Sequence, residues 1–161
     1  MRYRWDYPSV VGTLRLVMED EQLVGVYFEQ HHPAPRDLSG EIDASPFRAV
    51  TDQLDEYFAG DRDFFDVPLQ FHGTEFQQQV WQQLQQIPTG TTVSYSELAR
   101  RVGREDAVRA VAGAVGRNPI SIIVPCHRVV GANGSLTGFA GGIERKRWLL
   151  ERENAVERQL I

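Results

Sequence analysis

The sequence predicts an α+β protein in two units: a small antiparallel sheet plus a helix over 1–70, then a mainly helical unit over 71–161. Two observations lead there. The runs TLRLVM (13–18) and LVGVYFEQ (23–30) alternate in character around EDEQ and read as a hairpin. From Thr74 onward, capping signals and apolar stripes of helical period take over, broken by one long Gly-rich loop. With 161 residues the chain can bury roughly two-thirds of its unfolded surface, so a real core is within reach.

Taken in order, HHPAPRDLSGEIDAS (31–45) is rich in Pro, Gly, Ser and charge, and reads as exposed loop. Ser45 before Pro46 is a helix start, a side-chain cap followed by a proline whose missing N–H costs nothing there. Phe47, Val50, Leu54 and Phe58 mark one helical face, and Gly60 suits the exit. Residues 61–73 read as a linker or a short strand. Thr74 with Gln77 resembles a capping box, and Phe76, Val80, Leu84 and Ile87 form the stripe behind it. IPTGT (87–91) is a turn. Ser94 with Glu97 is a second capping box, opening a helix to about Arg101. Gly103 breaks that helix, and a second, rich in small residues, runs from about Arg104 to Gly116. Two short helices joined through a Gly fit a helix-turn-helix. ISIIV (120–124) reads as a short buried strand or extended run, PCHRVVGANGSLTGFAGG (125–142) as a long loop, and Ile143 to Glu153 as a final helix.

The composition, 42% hydrophobic and 24% charged, excludes a disordered or fibrous chain. No apolar run approaches the ~18 residues of a membrane helix, and MRYRWDYPSV lacks an apolar signal core. A cytoplasmic protein with no membrane partner is expected. The single cysteine excludes an internal disulfide and any zinc site of two or more thiolates. Neither a metal nor a cofactor is expected. Charge is uneven. Residues 1–93 hold 6 basic and 15 acidic side chains, and residues 94–153 hold 10 basic and 6 acidic. Only the second stretch is suited to a polyanion, although a balance of this size also fits a solvated surface.

Cys126 is the first residue to weigh for chemistry. A lone cysteine is most often a small buried hydrophobe. Here it sits at the mouth of a loop after ISIIV, with Pro125 before it and the basic His127 and Arg128 after it. A neighbouring His or cation lowers a thiol pKa from about 8.5 toward neutrality, so Cys126 reads as an ionised nucleophile. Side chains adjacent in extended backbone point to opposite faces, so His127 serves it only if the backbone turns there or a water intervenes. A third group should orient the His. Glu153 is a candidate, although its spacing alone also suits a surface carboxylate at a helix end.

PCHRV (125–129) resembles the active-site motif of the O6-alkylguanine–DNA alkyltransferases, the methylated-DNA–protein-cysteine methyltransferases. The resemblance runs without a gap through RAVAGAVGRNPISIIVPCHRVVGANGSLTGFAGGIERKRWLLERE (109–153), and more weakly back through VSYSELA (93–99) to about Thr74. It implies a DNA repair protein that takes an alkyl group from O6 of guanine in double-stranded DNA and keeps it on Cys126, as a single-use reagent. It also implies roles for individual residues. His127 takes the Cys126 proton through a water, and Glu153 holds His127. Asn118 braces the active-site turn, and Tyr95 donates a proton to the leaving base. Val129, Phe139 and Ala140 line the substrate pocket, and Lys146 supports the loop. Arg109, Ala107, Ala110, Ala112 and Arg128 lie on the DNA side, the small residues admitting a minor groove ~6 Å wide and Arg109 entering the stack in place of the flipped base. A monomer is expected.

Many family members carry Tyr-Ser or Tyr-Arg where this chain has Phe139-Ala140. Phe139 keeps the ring wall and loses a hydrogen-bond donor. Other readings stay open on the residues: a module that binds alkylated DNA without transfer, a helix-turn-helix regulator, and a Cys-His-Glu hydrolase.

Overall fold

In a computed structural model describing residues 1–35 and 37–155, strands come first and helices follow. The last six residues of the C-terminal unit expected from sequence lie outside the described residues. Strands β1 (Arg2–Ser9), β2 (Gly12–Glu19), β3 (Gln22–Tyr27) and β4 (Glu41–Ile42) form one sheet in the order β3-β2-β1-β4. The expected hairpin is β2–β3, turning at Asp20 and Glu21, both at positive φ. The sequence reading missed β1. It pairs antiparallel with β2, with Trp5 opposite Leu16 and Tyr7 opposite Leu14. The expected antiparallel sheet is also mixed at one edge, because the two residues of β4 run parallel to β1.

Helix α1 (Arg48–Phe58) follows a 3-10 turn over Ser45–Phe47. Ser45 is not the cap the sequence suggested. Its N–H and hydroxyl both donate to Asp43 Oδ1, at 3.0 and 2.8 Å, and regular helix starts three residues later. The buried face of α1 is Val50, Leu54 and Tyr57, while Phe58 is only half-buried. Helix α2 (Glu75–Leu84) has the predicted capping box. The Gln77 N–H donates to Thr74 Oγ1 at 3.1 Å, and the Thr74 N–H donates to Gln77 Oε1 at 3.0 Å.

Strand β5 (Val93–Ser94) leads into α3 (Tyr95–Arg101), where Ser94 caps but Glu97 does not complete a box. The Glu97 carboxylate turns outward to Arg100 and Arg101 instead. Helix α4 is shorter than predicted, Val108–Gly116, because Arg104–Ala107 close a separate turn. Trp81 of α2 donates its indole N–H to Ala114 O at 2.8 Å, fastening α2 to the end of α4.

ISIIV is buried as expected but is not extended. Ile120 bridges to Val26 of β3, then Val124 N–H returns to Ile120 O at 3.0 Å. Ile122 takes φ 71°, a left-handed conformation costly for a β-branched residue. The loop that follows holds a 3-10 turn at Cys126–Arg128 and β6 (Val129–Val130), parallel to β5. Gly142, at φ 89°, lets the chain swing into α5 (Ile143–Arg152). Among the described residues no helix is long and apolar enough to cross a membrane.

Candidate active site

The 3-10 turn settles where the side chains of 126–128 point. Three residues per turn rotate neighbours by about a third of a circle, not to opposite faces. The side chains of Cys126, His127 and Arg128 therefore leave the turn in three directions, and all three are buried because the turn itself lies inside the protein. The turn is set by Asn118. Its amide donates to Val124 O at 2.9 Å and Ile120 O at 3.3 Å, and its Oδ1 accepts from Ile120 N–H at 3.0 Å. Three bonds from one buried side chain hold the strained Ile122 segment. Asn118 itself lies beyond the α4 cap, which is Arg117.

Cys126 is 3% exposed. Burial pushes its thiol up, while the neighbouring Asn118 amide and the Lys146 charge pull the other way without winning. This corrects the expectation of an ionised thiol. The basic neighbours exist, but desolvation outweighs them, so the sulfur rests as S–H and needs a base. His127, fully buried, provides one. Burial holds its imidazole below the ordinary value, the Glu153 carboxylate opposes that, and Arg128 and Lys146 reinforce it. The ring is neutral at neutral pH. Its Nε2–H donates to Glu153 Oε2 at 2.8 Å, which fixes the tautomer and leaves a lone pair on Nδ1. Among the described residues, Nδ1 is buried without a protein partner. Burial alone would raise the Glu153 carboxyl, but His127 and Arg128 hold it well below the usual carboxylate range.

Arg128 is a second correction. Assigned to DNA from sequence, it is 7% exposed and makes four hydrogen bonds inside the protein. Its Nε donates to Glu153 Oε1 at 2.8 Å, Nη2 to Glu153 Oε2 at 3.1 Å and Thr89 Oγ1 at 3.0 Å, and Nη1 to Ile87 O at 2.6 Å. The sequence reading also missed Tyr57, whose hydroxyl donates to Glu153 Oε2 at 2.5 Å. Its signal was weak, an aromatic at the i+3 position after Leu54.

The rest of the predicted set lies around this centre. Tyr95 begins α3 half-buried, its phenol raised mainly by burial and therefore protonated, and it accepts from Thr137 Oγ1 at 3.3 Å. Lys146, buried on α5, donates to Thr137 O at 3.3 Å and sits 5.9 Å from the Tyr95 ring centroid. Burial lowers its ammonium to about 8, against the pull of Cys126. Val129 is buried in β6. Phe139 is half-buried and meets Phe28 edge-on at 5.5 Å, and Ala140 O accepts from His32 N–H at 2.9 Å. On α4, Arg109 and Ala110 are exposed and Ala112 is half-buried, as is Ala107 at its N-cap.

Comparison with known proteins follows the same division of the chain. The 6-O-methylguanine DNA methyltransferase models for the ribonuclease-like domain and the DNA binding domain match residues 2–71 and 75–155. A methylated-DNA–protein-cysteine methyltransferase of Methanosarcina acetivorans is 53% identical over 150 residues, 92% of this chain and 96% of that protein. One from Haemophilus influenzae is 46% identical over 149 residues, 91% of this chain and 83% of that protein. The crystal structure of Mycobacterium tuberculosis OGT in complex with DNA superposes with TM-score 0.89 at 44% identity, covering 95% of this chain and 93% of that one.

Proposed function

The chain belongs to the methylated-DNA–protein-cysteine methyltransferase family, and from that premise we propose that it repairs O6-alkylguanine in duplex DNA by moving the alkyl group to Cys126 for good. The observation that carries this reading is a neutral imidazole, tied through Nε2 to a buried carboxylate, directly after a buried thiol in one tight turn. That arrangement suits removal of the Cys126 proton at the moment of reaction.

The thiol proton passes to His127 Nδ1 through a water, and Glu153 stabilises the imidazolium. The thiolate attacks the alkyl carbon, so an S–C bond forms and the C–O6 bond breaks. Guanine leaves with the electron pair and takes a proton from Tyr95, which lowers the barrier for a poor leaving group. Lys146, near the Tyr95 ring, offsets the negative charge that develops there. The balance closes when the Tyr95 phenolate takes a proton back from solvent and the His127 imidazolium gives one up to it, so that overall guanine gains the hydrogen the thiol has lost. The product is a thioether with no acyl carbon for water to attack, so the protein acts once.

O6 lies within the base stack, so the nucleotide must be extruded. Residues 71–161 form the DNA-binding and alkyl-transfer domain in this reading, and residues 1–70 the supporting one. Helices α3 and α4 dock in the minor groove. Ala107, Ala110 and Ala112 allow close approach, and Arg109, exposed on α4, fills the gap left by the flipped base. Binding weakens with salt as phosphate contacts release counterions. The free thiol suits a reducing cytoplasm, where the protein acts as a monomer.

The deciding experiment is incubation with O6-methylguanine duplex DNA or O6-benzylguanine, followed by peptide mass spectrometry. Cys126 gains at most one alkyl group per molecule, and Cys126→Ala gains none. Tight DNA binding with no adduct on the protein would instead identify a non-transferring alkylated-DNA-binding or regulatory module.

A further inference from the structure

The N-terminal helix reaches the buried Cys-His-Glu centre through a single hydroxyl. We propose that Tyr57 is a positioning residue for alkyl transfer, donating its O–H to Glu153 Oε2 and so fixing the carboxylate that orients His127. The inference rests on the reading of Cys126 as the alkyl acceptor and gives α1 a part in it.

Packing does not account for that hydroxyl. The Tyr57 ring is fully buried, with Phe58 edge-on at 5.4 Å, Phe65 at 5.3 Å and the Arg152 guanidinium 4.4 Å over its face. A phenylalanine would fill the same space without bringing a polar atom that must be paired. The hydroxyl finds its partner in Glu153, at 2.5 Å. Its phenol is pushed far up by burial first and by the Glu153 charge second, so it stays a donor at any working pH.

Glu153 is held from two sides. Arg128 grips both oxygens from the active-site turn. Tyr57 approaches Oε2 from α1, the same oxygen that receives His127 Nε2–H. The charged and titratable groups around this pair are His127, Arg128 and Cys126 on the turn, Tyr57 on α1, and Lys146 and Arg152 on α5. Arg128 is a charged donor on Oε2; apart from the His127 ring that the carboxylate orients, Tyr57 is the neutral one among the described residues. It draws charge from the oxygen that would otherwise favour an imidazolium, and it limits the swing of the carboxylate. Without it, His127 holds a proton more tightly and is aimed less well.

The test compares the parent chain, Tyr57→Phe, Glu153→Gln and the double variant. Two quantities are read: the rate of benzyl transfer from O6-benzylguanine to Cys126, and the His127 titration by NMR of labelled histidine. Tyr57→Phe transfers roughly tenfold more slowly, within what a positioned proton acceptor contributes. Its His127 titration moves upward by about half a unit, because the opposing carboxylate is less neutralised. In the Glu153→Gln background the Tyr57 change slows transfer no further. 3-Fluorotyrosine installed at 57, a stronger donor of the same shape, moves the His127 titration downward and serves if the Phe variant fails to fold. An unchanged His127 titration, or a slowing that persists in the Glu153→Gln background, overturns the proposal. If the parent chain takes up no benzyl group, the alkyl-transfer reading fails, and the titration still decides whether Tyr57 acts on His127.

Discussion

Arg109 and Arg128 are the same residue type in the same basic half of the chain, and the structure uses them in opposite ways. Arg109 stands exposed on the outer face of α4. Arg128 is buried in the active-site turn, its guanidinium shared among Glu153, Thr89 and Ile87. Charge balance counts both equally as attraction for a polyanion. Tertiary placement decides otherwise: a regular helix at the surface leaves one face to solvent, whereas a 3-10 turn held inside the protein by Asn118 has all three of its side chains buried. A basic half of a chain is therefore not a basic surface until each cation has been placed.

The largest expected effect sharpens that contrast. Arg128→Met keeps the packing but strands the buried Glu153 charge, and loss of one partner of such a pair costs about 3–5 kcal/mol. Urea unfolding measures it. Arg109→Ala leaves stability within about 0.5 kcal/mol, as surface changes do. It instead slows transfer from O6-methylguanine in duplex DNA by about tenfold or more, the scale of an unstacked step. Transfer from free O6-benzylguanine, which needs no base flipping, stays the same. If both variants lose stability equally, or if Arg109→Ala slows both substrates alike, the division between supporting and DNA-facing arginines is wrong.

A second comparison sets the two halves against each other in acid. His31, in the N-terminal half, is buried between Phe28 and Tyr27, and burial followed by the His32 charge lowers it to about 4. In the C-terminal half, burial lowers His127 as well. When a histidine's folded pKa lies below its unfolded value, the unfolded chain takes up the proton first as pH falls. Stability is then lost from about pH 6.5 downward. Glu153 has the opposite ionisation but the same sign here. Its depressed carboxyl contributes stability above the unfolded carboxylate pKa, and that stability fades as pH falls below it. The acid limb should therefore show the histidines first and Glu153 second. His31→Phe removes about 2 kcal/mol of the loss above pH 4, allowing for solvent screening at the ring's open edge. Glu153→Gln flattens the lower section and steepens the His127 part above it, because the carboxylate that opposes burial there is gone. Denaturation midpoints at successive pH values measure both, and an unchanged limb in His31→Phe would place the whole effect in the C-terminal half.

How much of this was legible depends on how local each cause is. The Thr74–Gln77 box was readable because both partners lie within one turn. The Ser45 cap was not, because Asp43 two residues upstream takes its hydroxyl. β1 was passed over although Tyr3, Trp5 and Tyr7 alternate with Arg4 and Asp6. Pro8 interrupts the run, and the structure tolerates it near the strand's end. The grouping of Cys126, His127, Glu153 and Asn118 came from motif resemblance, not from spacing, since Glu153 meets His127 only after α5 folds back. The resting state of Cys126 was misjudged because burial, a tertiary quantity, outweighs the basic neighbours that the sequence displays. Tyr57 is not singled out by the sequence, and Arg128 is placed there on the DNA side, for the same reason: their partners are far along the chain.

The smallest expected effect returns to the meeting of the two halves at the loop. Phe28 of the N-terminal half packs edge-on against Phe139 and covers Gly141, where a Cβ would come within 2.5 Å of its ring. The Phe139 ring is therefore held by packing, and if it lines the substrate pocket as proposed, a tyrosine there would keep the wall while restoring a hydroxyl. One hydrogen bond gained is worth about 0.5–1.5 kcal/mol, a rise in transfer rate of about two- to tenfold. Single-turnover labelling of Phe139→Tyr by O6-methylguanine DNA measures it. The change acts on the pocket and not on the proton path, so the His127 titration should stay where it is. A rate that is unchanged or lower would mean that Phe139 acts only as a wall propped by Phe28, with no donor wanted at that position.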